Sequence, residues 1–170
     1  MSSIPVLTFP DPFLKKQAKP VTEFGASLKK LADDMAEAMY ENAGIGLAAP
    51  QVGEGLRMFV ADLSYCGPDS ETDKNPVAYC NPVIKDGKGK IVLEEGCLSV
   101  PEFRAEVERF EEITLEYQDL NGNPHSIHAE GLFAVCIQHE ADHLIGKLFI
   151  DYLPSLRRKM IEKRLKKLAR

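Results

Sequence analysis

Chemistry is most concentrated in the segment His139-Glu140-Ala141-Asp142-His143. On a helix, residues i and i+4 project from one face a turn apart, so the two imidazoles can pinch a single metal ion. Glu140, beside the first of them, is then placed to act on a water carried by that ion. Two helix histidines packed only for structure are the plainer alternative. The surroundings weigh against it, because Leu132, Phe133, Val135, Cys136, Ile137, Ala141 and Leu144 make this helix apolar on most faces. Imidazoles and carboxylates buried in such a helix need partners, and a metal supplies them.

A hydrolytic metal site wants a third protein ligand and an open position for water. Cys136 lies on the same stripe one turn before His139. Helix side chains lean toward the N-terminus, so Cys136 points away from an ion held between His139 and His143. Glu162 follows His143 by 19 residues, a spacing seen in some zinc proteases, yet it stands in a basic helix where pairing with Lys or Arg is its plain role. Cys97 comes from a separate segment, beside Gly96, which lets backbone approach closely. These considerations prefer Cys97 to Cys136 and leave Glu162 open. A metalloprotease built on Glu162 and a non-catalytic metal or ribosome-associated module therefore stand as competing readings.

The segments Gly44 to Gln51 (GIGLAAPQ), Glu95 to Ser99 (EGCLS) and Gln138 to Gly146 (QHEADHLIG) resemble, in order and separation, the three motifs of peptide deformylase. The resemblance spans nearly the whole chain and selects Cys97. It implies that Cys97, His139 and His143 hold the metal, with water in the fourth place and Glu140 moving the proton as general base. It further implies that the Gln51 side chain and the Leu98 backbone N–H stabilise the developing oxyanion, and that Ile45 and Gly46 offer backbone hydrogen bonds to the substrate. The implied reaction removes the N-formyl group from the N-terminal methionine of newly synthesised proteins. Fe²⁺ is the implied cellular ion; Zn²⁺, Ni²⁺ or Co²⁺ can occupy the same ligands, which suit several first-row metals. A methionine-accepting pocket is expected from Ile45, Leu93, Leu132, Val135 and Cys136. Ordinary core packing is an equal reading for any one of them. Arg104 is expected to contact the peptide further along.

These residues need elements to position them. Residues 1 to 25, with four prolines, read as irregular. Leu28, Leu31, Met35 and Met39 recur at helical spacing and predict a first helix that ends at Asn42 to Gly44. Gly44 to Gln51 reads as a loop or edge segment, since Pro50 forbids a central strand. Short strands are predicted at Arg57 to Asp62, Val77 to Tyr79, Val83 to Ile84, Ile91 to Glu94, Ala105 to Arg109 and Ile113 to Tyr117. Asp119-Leu120-Asn121-Gly122 turns the last of these into a return strand, His125 to His128, whose histidines read as structural. The metal-motif helix is predicted at Glu130 to Leu144. Pro154 opens a third helix with Leu156, Met160, Ile161, Leu165 and Leu168 on one apolar stripe. The expected fold is α+β: antiparallel strands around a buried central helix carrying HExxH, with helices toward both ends, in a single catalytic domain over 1–170.

Composition bounds the rest. A chain of 170 residues can bury one core. Prolines and Asp11 interrupt any secretory h-region near Met1, and no apolar run approaches the roughly 20 residues that span a bilayer. A soluble cytoplasmic protein without membrane or DNA partners is expected. Cys66, Cys80, Cys97 and Cys136 form no C-x-x-C pair and read as free thiols. The net charge is −5, but from Leu156 to Arg170 eight basic residues face one acid, so that segment carries +7 and the remainder −12. The basic helix either solvates one face or, as the resemblance implies for some bacterial members, docks on ribosomal RNA.

Overall fold

The computed structural model describes residues 4–64 and 74–169. Cys66 and most of the polar stretch expected between Ser64 and Asn75 lie outside the described residues. Three helices and seven strands follow in the order α1 (Ala26–Glu41), β1 (Gly46–Ala48), β2 (Met58–Ala61), β3 (Val77–Lys88), β4 (Ile91–Cys97), β5 (Val100–Arg109), β6 (Glu112–Gln118), β7 (Pro124–Glu130), α2 (Gly131–His143) and α3 (Ser155–Leu168). The fold is α+β and the named strands pair antiparallel throughout. One sheet has the order β1-β2-β3-β6-β7, and β4 and β5 form a separate hairpin.

The alternation of Ile113, Leu115 and Tyr117 with polar residues does produce a strand with one apolar face, and Ile113 and Leu115 are completely buried. α1 lays Leu28, Met35 and Met39 against Leu47, Met58 and Val60. A second cluster joins Ala134 and Ile137 of α2 to Phe59, Tyr79, Ile113 and Leu115. A third core links Val107 of β5 to Phe149, Ile161 and Leu165.

Two expectations change, and one holds in finer detail. The two short strands foreseen before and after Cys80 are one long strand. Asn81 takes a left-handed φ of 49° inside it, and the pairing with β6 shifts register between Cys80 and Val83. The bulge keeps the strand running, and the Asn81 side chain bonds Val21 and Gln118. Gly44 to Gln51 is the expected loop or edge segment, part edge strand and part 3-10 turn (Ala49–Val52). On α3 only Ile161 and Leu165 of the foreseen apolar stripe are buried, while Leu156, Met160 and Leu168 are exposed, because α3 packs on β5 and the 3-10 turn Phe149–Tyr152 through one narrow line.

The residues before α1 are irregular yet tied down. Leu7 N–H donates to the Gln51 carbonyl at 2.7 Å and Phe9 N–H to the Ser99 carbonyl at 2.8 Å. This strap joins the turn after β1 to the turn after β4. No helix among the described residues is long and apolar enough to cross a membrane.

Candidate active site

Segments distant in the chain meet at the floor of an open cleft of about 640 Å³. α2 brings His139, Glu140 and His143, β4 ends on Cys97, and the turn after β1 carries Gln51. Gln138 pins α2 in place: its amide bonds both the N–H and the carbonyl of Phe110, at 3.0 and 2.9 Å. Gly46 permits a close approach of β1 to α2, since a Cβ there would stand 3.0 Å from Cγ of Glu140 and 3.1 Å from Sγ of Cys136.

Sγ of Cys97 lies 3.4 Å from Nε2 of His143. That sulfur and one ring nitrogen from each of His139 and His143 all fall within 4.8 Å of one another. Bonds of about 2.0–2.1 Å to nitrogen and 2.3 Å to sulfur at tetrahedral angles separate neighbouring donors by roughly 3.3–3.7 Å, so this set fits one shared ion. Cys136 lines the cleft but is not in the set. Glu162 is also outside it, paired on α3 with Arg158 at 3.4 Å.

A buried network stands behind His139. Its Nδ1 meets Oε1 of Glu95 at 2.8 Å, which leaves Nε2 for a ligand. Arg109 grips Glu95 with Nε and Nη2, at 2.9 and 2.8 Å, and reaches Asp142 with Nη1 at 2.7 Å. Burial would raise the Glu95 carboxyl, but Arg109 and His139 outweigh it and hold the pKa below the usual range. Burial also disfavours charge on His139. Hydrogen bonds with Cys97 and Glu95 overcome that and push its pKa up. His143 behaves oppositely: burial, then His139 and Arg109, keep its imidazole neutral.

Glu140 is 3% exposed and its Oε2, like Nδ1 of His143, is buried without a partner among the described residues. Such orphaned atoms are costly and mark a place for another group. Burial is the main cause that pushes the Glu140 carboxyl up to about 7. Oε1 of the Gln51 side chain accepts from Ala48 N–H at 2.9 Å, so its amide nitrogen turns toward Ser99 Oγ at 3.0 Å and Cys97 Sγ at 3.5 Å.

Ile45, Gly46, Leu93, Leu98, Arg104, Leu132, Val135 and Cys136 all line the cleft. Val135 and Cys136 are buried in its floor, Leu132 is 54% exposed at the rim, and Arg104 pairs with Glu94 at the mouth. The Ile45 carbonyl already accepts from Asp62 N–H at 2.9 Å. Gly46 follows it on the edge strand β1, and the alternation of a strand turns its backbone groups to the free edge. Sequence reasoning missed Ser99, Glu95, Arg109 and Asp142 as supports. Glu95 and Asp142 sit inside recognisable motifs; Arg109 carries no local signal.

A sulfur, two imidazoles and a buried acid with one oxygen left without a partner, beneath an open cleft, are the equipment of a hydrolase. The family model described as polypeptide deformylase matches residues 3–159. A peptide deformylase from Alkalilimnicola ehrlichii is 47% identical over 170 residues, covering 100% of this chain and 93% of the relative. One from Brucella suis is 48% identical and covers 99% and 95%. Among solved structures, the Legionella pneumophila peptide deformylase superposes with a TM-score of 0.89 at 43% identity, covering 99% and 96%. The Ehrlichia chaffeensis enzyme in complex with actinonin gives 0.91 at 39%, covering 100% and 99%. The chain belongs to the polypeptide deformylase family and is a hydrolase.

Proposed function

We propose that this chain removes the formyl group from the N-terminal methionine of newly made proteins, with one divalent ion held by Cys97, His139 and His143. The observation that carries this reading is the convergence of those three donors within 4.8 Å of one another at the floor of a cleft, beside Glu140. In the same reading α2, carrying HExxH, is the centre of the fold, and 1–170 acts as one catalytic unit.

When bound, such an ion lowers the pKa of a water and polarises the formamide carbonyl. Glu140 takes a proton from the attacking water and delivers it to the amine nitrogen as the C–N bond breaks, so formate and a free N-terminus leave. The Gln51 amide and the Leu98 backbone N–H donate where the oxyanion forms. Gly46 offers backbone to an extended substrate on the free edge of β1, with Ile45 beside it. The methionine side chain enters among Leu93, Leu132, Val135 and Cys136, and Arg104 meets the following residues. Fe²⁺ is the ion assigned for the cell, with Zn²⁺, Ni²⁺ and Co²⁺ as alternatives, and the cytoplasm is the place of action.

Metal analysis of protein purified with and without oxygen, joined to a formyl-Met-peptide assay, tests this. One bound ion per chain and turnover are expected, with both lost together on chelation. Glu140→Gln should keep the ion and lower kcat by about 10³-fold, within the range of general acid–base catalysis. Undiminished turnover after the ion is removed overturns the reading.

Docking of α3 on ribosomal RNA belongs to the same proposal. It is supported by Lys159, Lys163, Lys166 and Lys167 standing together along the helix. Truncation is a poor test, because Ile161 and Leu165 are buried. A K163E/K166E/K167E variant should keep peptide turnover and lose salt-sensitive ribosome sedimentation.

A further inference from the structure

Tyr152 closes the 3-10 turn Phe149–Tyr152 and is 44% exposed, the outermost member of a chain of contacts that runs inward. Its hydroxyl donates to Oδ2 of Asp142 at 2.7 Å. The same oxygen accepts from Nη1 of Arg109 at 2.7 Å, and Arg109 holds both oxygens of Glu95, whose Oε1 meets Nδ1 of His139 at 2.8 Å. The Tyr152 ring also packs on Arg109, with the guanidinium carbon 4.8 Å from the ring centre. From the other end of the turn, the Phe149 ring faces the His139 ring at 26°, with centroids 6.3 Å apart.

We propose that Tyr152 is a positioning residue for His139, acting through Asp142, Arg109 and Glu95. The proposal rests on His139 being a metal ligand. Each link is directional. Asp142 is a short carboxylate on the last turn of α2, and the Tyr152 hydroxyl fixes the rotamer in which it meets Arg109. Arg109 is a planar fork, so holding Nη1 on Asp142 sets the plane in which its other two nitrogens grip Glu95. Glu95 in turn sets the tilt of the imidazole, and that tilt aims Nε2. The Tyr152 ring covers the outer side of the guanidinium. Loss of a partner directly behind a metal ligand costs about 10- to 100-fold in metal affinity. Tyr152 stands further out, and its hydroxyl is worth roughly three- to tenfold by the same logic.

Tyr152→Phe removes the hydroxyl and keeps the ring over Arg109. The test uses the full chain loaded with Ni²⁺, and follows release of the ion into excess EDTA together with kcat and KM for a formyl-Met peptide. Tyr152→Phe should release the ion about threefold faster or more, and lower kcat with KM unchanged. Asp142→Asn should do the same, and the double variant should be no worse than the more affected single one, because both break one chain. Release and kcat equal to wild type in Tyr152→Phe overturn the proposal, whatever happens to its melting temperature. Additive effects in the double variant overturn the route through Asp142. Should Tyr152→Phe fail to fold, Asp142→Asn releasing its ion at the wild-type rate overturns the proposal in its place. His139→Ala is measured alongside. If it binds and holds Ni²⁺ as wild type does, the metal reading itself falls; if it loses the ion while Tyr152→Phe does not, only the role of Tyr152 falls.

Discussion

Two groups of metal-type donors occur among the described residues, and they differ in composition and still more in how they are held. Cys97, His139 and His143 converge under the cleft, with His143 only 1% exposed. Glu112, His128 and Glu130 converge on the outer face of β6 and β7. In the second group Nε2 of His128 lies 3.2 Å from Glu112 and 3.8 Å from Glu130, yet the three side chains are 58%, 41% and 72% exposed. Side chains this exposed are open to solvent, and among the described residues no further side-chain hydrogen bond stands behind them. In the first group, Glu95 orients His139, Arg109 orients Glu95, and Gln138 locks the helix. Nearness of donors is cheap at a surface. A site is marked by what has been spent to hold the donors still and dry.

That contrast is exposed to test. Cys97→Ala should strip the buried group of its ion and lower turnover by at least about 10³-fold, while His128→Ala changes neither metal content nor kcat. Metal analysis and a formyl-Met-peptide assay on both variants decide it, and a large loss in His128→Ala would erase the distinction. Next in size is the support itself. Arg109→Leu leaves Glu95 and Asp142 without their shared cation, and breaking a buried pair of this kind costs about 3–5 kcal/mol, measurable by urea unfolding. A loss under about 1 kcal/mol would mean that the network is not held as described.

The smallest effect sharpens the role of burial. Burial pushes the Asp62 carboxyl upward, but bonds from Ser64, the Tyr40 hydroxyl and the Asn75 N–H outweigh it and hold its pKa below the ordinary value. A carboxyl lowered on folding stabilises fully above its unfolded pKa of about 3.9, and that gain is lost as pH falls through the folded value. The stability gap between wild type and Asp62→Asn should therefore be full at pH 6 and shrink below about pH 4. Unfolding curves across that range give the answer, and a gap that widens in acid would reverse the assignment.

The two candidate imidazoles were legible from their i and i+4 spacing on a helix, whereas the choice of Cys97 and the role proposed for Gln51 came from the resemblance of whole segments to a family's motifs. The α+β class was legible from periodicity. What supports the site was not. Arg109 and Glu95 are 14 residues apart and Arg109 and Asp142 are 33 apart, and only the pairing of β4 with β5 and the seating of α2 bring them together. The apolar stripe on α3 was overread for a related reason. Spacing says which residues share a face, not how wide a partner covers it, and here only Ile161 and Leu165 are covered. At β3 the break expected near Cys80 to Pro82 does not occur, because a left-handed Asn81 absorbs the irregularity.

The strap formed by Leu7 and Phe9 has a consequence for handling the protein. One hydrogen bond clasps the backbone of Gln51 and the other that of Ser99, the residue after Leu98, so a stretch of chain distant in sequence from α2 acts as a girdle around the two residues proposed as oxyanion donors. Peeling that girdle away, by a protease nick or a bulky fusion ahead of Pro5, would blunt the chemistry without touching a single ligand.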